Sequence, residues 1–146
     1  MLIGLDPIIG PEFLYHLRAM GHGDEIALVD ANYPALEDAR RLVRADGVDL
    51  VNILRAILPI FPLDDDKNGS FFRAVYAPQP DLILPIYQKI NVLCSELKPE
   101  SNVVPLDPET FYSRVRRAHL VVATGEKALY ANVILRKGTI AHREGG

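Results

Sequence analysis

His22 stands between two glycines in Gly21-His22-Gly23-Asp24, and a second ionisable group, Asp30, follows eight residues later. An imidazole titrates near neutrality, so a histidine in an accessible turn can give or take a proton at little cost. The flanking glycines favour a sharp turn that leaves the ring open to a ligand. Between the two groups, residues 25–29 (Glu-Ile-Ala-Leu-Val) read as a short buried strand. Asp30 then falls at the strand's exit, where open α/β sheets place their ligands, and it is the natural partner for His22. A carboxylate there needs a partner, a ligand or water. The plainer accounts are an Asx-turn onto Ala31-Asn32 for Asp30 and a decorated helix-to-strand turn for His22.

A second set lies in residues 124–138, TGEKALYANVILRKG, where Tyr130 and Asn132 bracket Ala131. Residues two apart on a strand face the same side, so a phenol and a carboxamide would be presented together, a pair suited to hydroxyl recognition. The competing account puts Tyr130 at a sheet edge and Asn132 in a turn. The run Asp64-Asp65-Asp66 could hold a cation, but such runs are ordinarily solvated loops. His16, His22, His119 and His142 are scattered and Cys94 has no neighbouring ligand pair, so no metal site is expected. There is no phosphate-binding glycine loop, no dinucleotide fingerprint and no Gly-x-Ser-x-Gly elbow.

The elements that must carry these residues follow from apolar spacing and punctuation. Helices are expected over 11–20, capped by Gly21, over 48–58, over 82–97 with its start or a bend at Pro85, and over 108–118 with Asp107 as N-cap. Strands are expected over 25–29, 41–44, 71–76, 102–106, 120–123 and 132–135, with 31–39 a loop. Strands alternating with helices predict an α/β fold with a mostly parallel sheet and helices on its faces.

The chain has 146 residues, enough for one domain over 1–146 with a sizeable core, and 49% are hydrophobic, which excludes a disordered tail. A formal net charge of −3 argues against nucleic acid as a partner, and Arg114, Arg116 and Arg117 read as the solvated face of a helix. The most apolar stretch, 48–63, is interrupted by Asp49, Asn52, Arg55, Pro59 and Pro62, so no membrane span is expected. A single cysteine and the absence of a signal peptide suit a cytoplasmic protein.

Four segments together resemble the L-fucose mutarotase / D-ribose pyranase family, and its fucose branch most closely: MGHGDEIALVDANYPA, RADGV at 44–48, AILPIFPLD at 56–64, and TGEKALYANVILRKG. They cover both ends and much of the first half of the chain; residues 65–100 do not carry the likeness. The resemblance implies a three-layer α/β sandwich that interconverts anomers or ring forms of a free monosaccharide, without cofactor or metal. His22 would be the proton donor. Asp30, Tyr130, Ala131 and Asn132 would bind the sugar, with Asp64 a further candidate. Ring-shaped homodecamers with sites near subunit contacts are implied too. One position departs: where fucose enzymes have an arginine and ribose enzymes a histidine, three residues before Phe111, this chain has Pro108. Compensation by Arg114 or by a neighbouring subunit is one outcome, and a changed aldose is the other and the favoured one. A sugar-binding or transport-accessory protein of the same fold is the alternative function, and a ring whose assembly is itself the function is a third.

Overall fold

A computed structural model describes residues 1–142. Six strands form one sheet: β1 (Glu25–Val29), β2 (Leu42–Ala45), β3 (Phe71–Arg73), β4 (Val103–Pro105), β5 (Leu120–Thr124) and β6 (Val133–Arg136), in the order β2-β5-β1-β6-β3-β4. Side chains alternate along each strand, and the alternation sorts the core into two layers. Ile26 and Leu28 of β1, Leu120 and Val122 of β5, and Val133 and Leu135 of β6 pack on one face. Ala27, Val29, Val121, Ala123 and Ile134 pack on the other. The first face is covered by α1 (Pro11–Ala19), α3 (Leu50–Ile57) and α4 (Pro85–Leu97), and the second by α2 (Ala35–Asp38) and α5 (Pro108–Arg117). Helices on both faces make the expected three-layer α/β sandwich.

Three strand pairings are parallel, β1 with β5, β2 with β5 and β3 with β4, whereas β6 runs antiparallel between β1 and β3. The sheet is therefore mixed, and β6 is the reason. The chain leaves β5 at the end where β1 also ends. It crosses over the exit of β1 through residues 125–132 and returns on β1's other side. A crossing this short leaves no room for a helix, so the returning strand must run antiparallel. The crossing is tied down along its length. Gly125 N–H donates to the Val48 carbonyl at 2.7 Å, Ala31 N–H to the Glu126 carbonyl at 2.8 Å, and Leu50 N–H to Glu126 Oε1 at 3.3 Å.

Helix boundaries follow local chemistry. Asp49 accepts from Asn52 N–H at 2.9 Å and Asp107 from Thr110 N–H at 3.0 Å, so both N-caps leave fewer free donors in the first turn. Pro11, Pro85 and Pro108 occupy first-turn positions where a missing N–H costs nothing. Gly21 does not cap α1; the cap is Met20, in an extended conformation, and Lys137 Nζ donates to the Leu17 and Met20 carbonyls at 2.8 and 2.6 Å. A distant lysine thus does what a left-handed glycine would have done. The stretch 31–39 is not all loop: Pro34 precedes one helical turn, α2. Cys94 is buried against the Lys98 and Ser101 carbonyls. Among the described residues no helix is long and apolar enough to cross a membrane.

Gly125 fixes how closely the crossing approaches the loop after β2. A Cβ there would lie 2.1 Å from the Asp46 carbonyl oxygen and 3.3 Å from Val48 N. Gly125→Ala is therefore expected to destabilise the protein by at least about 2 kcal/mol, as overpacking against backbone does. Urea unfolding checks this, with a lowered midpoint at unchanged slope as the expected outcome.

Candidate functional site

The crossing makes a site at the exit of β1. A recess of about 600 Å³ opens there, walled by Asp30, Tyr33, Tyr112, Arg116, Tyr130 and Asn132 among others. Asp30 is only 6% exposed. Its N–H donates to Asn132 Oδ1 at 2.8 Å, and its own Oδ1 accepts from Asn32 N–H at 2.9 Å. The Asx-turn and the carboxylate that lines the recess are thus the same residue. Burial pushes the Asp30 carboxyl above its ordinary range, and hydrogen bonds from Asn32 and Asn132 offset part of that rise.

Tyr130 sits at φ +59°, a left-handed conformation that a tyrosine adopts only when its surroundings hold it there. Its carbonyl accepts from the Tyr87 hydroxyl at 3.0 Å, and its ring meets Tyr76 edge-on with centroids 5.3 Å apart. The Tyr87 hydroxyl is pushed up to about 12, chiefly by burial, so it stays a donor. Behind it the buried Arg73 guanidinium lies 4.1 Å from the Tyr87 ring centre and donates to the Ala74 carbonyl. On the opposite wall the Tyr33 hydroxyl donates to Asp38 at 2.7 Å, and burial raises the pKa of both Tyr33 and Tyr112. The recess therefore presents phenols, two carboxamides, carboxylates and one guanidinium, with Leu129 as an apolar lip. Donors and acceptors in this mixture suit a neutral polyhydroxylated ligand better than a charged one.

His22 lies elsewhere. Its Nε2 is 3.1 Å from Asp64 Oδ1, and Asp64 Oδ2 accepts from Arg136 Nε at 2.7 Å. Hydrogen bonding from Arg136, then from His22, holds the Asp64 carboxyl below the usual carboxylate range. An ionised Asp64 can only accept, so Nε2 carries the hydrogen and Nδ1 is the nitrogen left for a ligand. The ring is open, with 59% of the side chain exposed. Gly23 makes this turn feasible: its φ is +86°, and a Cβ would stand 3.1 Å from Arg136 Nη2.

A pairing of His22 with Asp30 within one chain is thus overturned. His22 precedes β1 and Asp30 follows it, so the length of the strand separates them: six steps from Asp24 to Asp30, at about 3.3 Å each, span about 20 Å. The true partner of His22, Asp64, comes from the loop after α3. Tyr130 and Asn132 do share the recess, but from the crossing rather than from a strand, since β6 begins at Val133. The side chain of Ala131 is buried in the core and does not line the recess. Pro108 starts α5 as expected and does not line it either. Arg114 is not a solvated residue or a replacement cation: its guanidinium pairs with both Glu25 carboxylate oxygens and lies 4.0 Å from the Phe72 ring centre. Among the described residues no group of three or more acidic, histidine or cysteine side chains could hold a metal, the Asp64-Asp65-Asp66 run included.

Residues that sequence reasoning passed over are Tyr33, Tyr112 and Arg116. A signal for two of them was present: Glu109, Tyr112 and Arg116 fall at i, i+3 and i+7, one face of α5, and all three line the recess. Tyr33 gave no periodic signal because it lies in the turn before α2.

Comparison with known proteins agrees with this architecture. Residues 3–140 match the model of the RbsD / FucU transport protein family. A protein of Danio rerio named fucose mutarotase is 39% identical over 99% of this chain and 97% of its own length. The crystal structure of the fucose mutarotase from Streptococcus pneumoniae, in complex with L-fucose, superposes with a TM-score of 0.88 at 38% identity, covering 96% of this chain and all of that one. The structure of Bacillus subtilis RbsD complexed with D-ribose shares the fold, with a TM-score of 0.73 at 20% identity over 97% of this chain and 100% of that one.

The raised pKa of Asp30 has a sign that can be tested. A carboxyl whose folded pKa lies above its unfolded value of 3.8 stabilises the fold only when protonated. The folded state is therefore favoured below pH 3.8 and loses that contribution as pH rises through the folded pKa. Asp30→Asn mimics the neutral form and keeps an acceptor for Asn32 N–H. It is expected to be as stable as the wild type or more so at pH 7, with the difference shrinking as pH falls toward 3.8. Denaturant unfolding across that pH range checks this.

Proposed function

The chain belongs to the RbsD / FucU transport protein family, and on that premise we propose that it is a mutarotase that interconverts the anomers of a free aldose of the L-fucose type. The observation that carries this reading is the convergence of Asp30, Tyr130 and Asn132 on one recess lined for hydroxyl recognition. The names of its relatives support the same activity.

Anomer exchange opens a hemiacetal. An acid protonates the ring oxygen, a base takes the proton of the anomeric hydroxyl, the C1–O5 bond breaks and C1 becomes an aldehyde. Rotation about C1–C2 and closure with the roles reversed gives the other anomer, so no atom or electron is gained. Asp30 is the base: burial lifts its pKa toward the working range, which makes its carboxylate a stronger proton acceptor. His22 is the acid, with Nδ1 turned to the sugar and Nε2 held by Asp64. Asp64 positions the ring. Arg116 takes the part of the arginine missing at Pro108, from the same helix, and Leu129 provides an apolar contact for a deoxy carbon.

One sugar cannot span the roughly 20 Å between His22 and Asp30 of a single chain. The reading therefore requires a homo-oligomer, a decamer in the family's manner, in which His22 of one copy completes the recess of the next. The lone, buried thiol of Cys94 supports a cytoplasmic setting.

Magnetisation-exchange NMR on L-fucose, galactose, ribose and related aldoses is the direct test. The expected result is exchange faster than buffer with L-fucose foremost, and a panel with no acceleration refutes the enzyme. His22→Ala should lower the rate by about 10²-fold or more. Mixed oligomers of His22→Ala and Asp30→Asn chains should recover activity, because random assembly leaves about a quarter of the shared sites with both groups intact. No recovery would place both groups in one chain.

Arg116→Gln should raise the half-saturating L-fucose concentration about ten- to a hundredfold, the worth of one charged hydrogen bond, while Pro108→Arg changes it little. The concentration dependence of the exchange rate reads this. Rescue by Pro108→Arg with no effect of Arg116→Gln would return the contact to the start of α5.

A further inference from the structure

A second cavity, of about 250 Å³, lies at the opposite end of the sheet, where β1, β2 and β5 begin. Arg40, Arg41, Arg117, Arg136 and His119 line it, with the acidic Asp24 and Glu25 beside them. Glu25 is held by Arg114. Asp24 Oδ2 accepts from Gly21 N–H at 2.7 Å but pairs with no cation among the described residues, so one carboxylate offsets part of the cluster's charge. Arg136 is engaged as well, by Asp64. Arg40, Arg41 and Arg117 form no ion pair among the described residues. Arg40 donates one N–H to the Arg117 carbonyl at 3.3 Å and Arg41 one to the His119 carbonyl at 3.2 Å.

Capping the end of α5 explains part of this cluster, since cations favour a helix C-terminus. It does not explain all of it. A helix end offers about half a negative charge, against three guanidinium groups. Each guanidinium has five N–H donors, and the two bonded ones spend one apiece on a carbonyl. His119 Nε2 is also buried without a hydrogen-bond partner. The cavity is thus rich in donors, poor in free acceptors and positively charged. Its volume admits a tetrahedral oxyanion and several waters, each of which takes about 30 Å³.

We propose that this recess binds a phosphate-sized oxyanion, either inorganic phosphate or the phosphate group of a small ester, gripped by Arg40, Arg41 and Arg117, with His119 also in its lining. Guanidinium forks match the geometry of such an oxyanion. The site is distinct from the sugar recess, and it touches the His22 end of the molecule through one residue: Arg136 lines the cavity and also holds Asp64, the partner of His22.

Isothermal titration of the intact protein with inorganic phosphate at low ionic strength tests this, with chloride as the control anion and a hexose 1-phosphate as the second arm. The expected result is saturable binding of one phosphate per subunit, weakened at least about tenfold in Arg40→Gln/Arg41→Gln. Arg55→Gln, on α3 and facing Glu96, should bind as the wild type does. Both arginines to be changed are exposed, so the variant should fold, which its unfolding midpoint verifies. A hexose phosphate that binds more tightly than inorganic phosphate assigns the site to an ester, and equal or weaker binding assigns it to the free anion. Phosphate should also shift the His22 imidazole resonances of the wild type and not those of the double variant. Phosphate binding no stronger in the wild type than in the double variant overturns the proposal. So does a double variant whose oligomeric mass falls in light scattering while the wild type binds no phosphate, which would make the arginines a subunit contact.

Discussion

The N–H of Asp30 donates to the side chain of Asn132 across 102 positions of sequence, and the recess depends on that bond. It is buried, so an unpaired amide there would carry a full desolvation cost. Satisfying it requires the β5–β6 crossing to lie over the exit of β1, and this in turn requires β6 to enter the sheet antiparallel between β1 and β3. Tyr130 is then carried into a left-handed conformation beside Asp30, with Tyr87 holding its carbonyl. Gly125 and Glu126 fasten the other end of the crossing to the loop after β2 and to the start of α3. The site is thus built from loops, but each loop is anchored to strands and helices whose positions the two apolar layers fix.

The two ends of β1 are chemically different. At its exit burial raises the pKa of Asp30, and phenols and amides surround it. At its entrance Arg136 keeps Asp64 ionised and His22 stands open to solvent. A strand of five residues keeps these environments apart. A buried carboxylate and an exposed imidazole hydrogen-bonded to an ionised carboxylate have opposite surroundings, and a single small pocket could not readily supply both. The separation lets each group keep its own setting, and in the proposed mechanism the contact between copies brings them together.

Charge follows the same division. The chain is acidic overall, yet four arginines gather around the starts of β1, β2 and β5. One of them, Arg136, is shared between the basic recess and the His22–Asp64 pair. A change in what surrounds its guanidinium therefore acts on both, since one planar fork has a limited number of donors to divide.

Local pattern was enough for most elements. Apolar spacing, proline at first-turn positions and the Asp107 cap located α3, α4 and α5, and short runs of Ile, Leu and Val located β1, β5 and β6, because these signals act within a few residues. The segments MGHGDEIALVDANYPA and TGEKALYANVILRKG were enough to point to the family and to His22, Asp30, Tyr130 and Asn132. Sequence did not reveal the direction of β6, the capping of α1 by Lys137, the union of His22 with Asp64 or the entry of Arg116 and Tyr33 into the recess. Each of these joins residues far apart in the chain. Asp64 and His22 are 42 positions apart and Asp30 and Asn132 are 102, and no local propensity encodes such a distance. What decided them was the order of strands in the sheet, which is set by burying both apolar faces at once and so belongs to the whole chain rather than to any stretch of it.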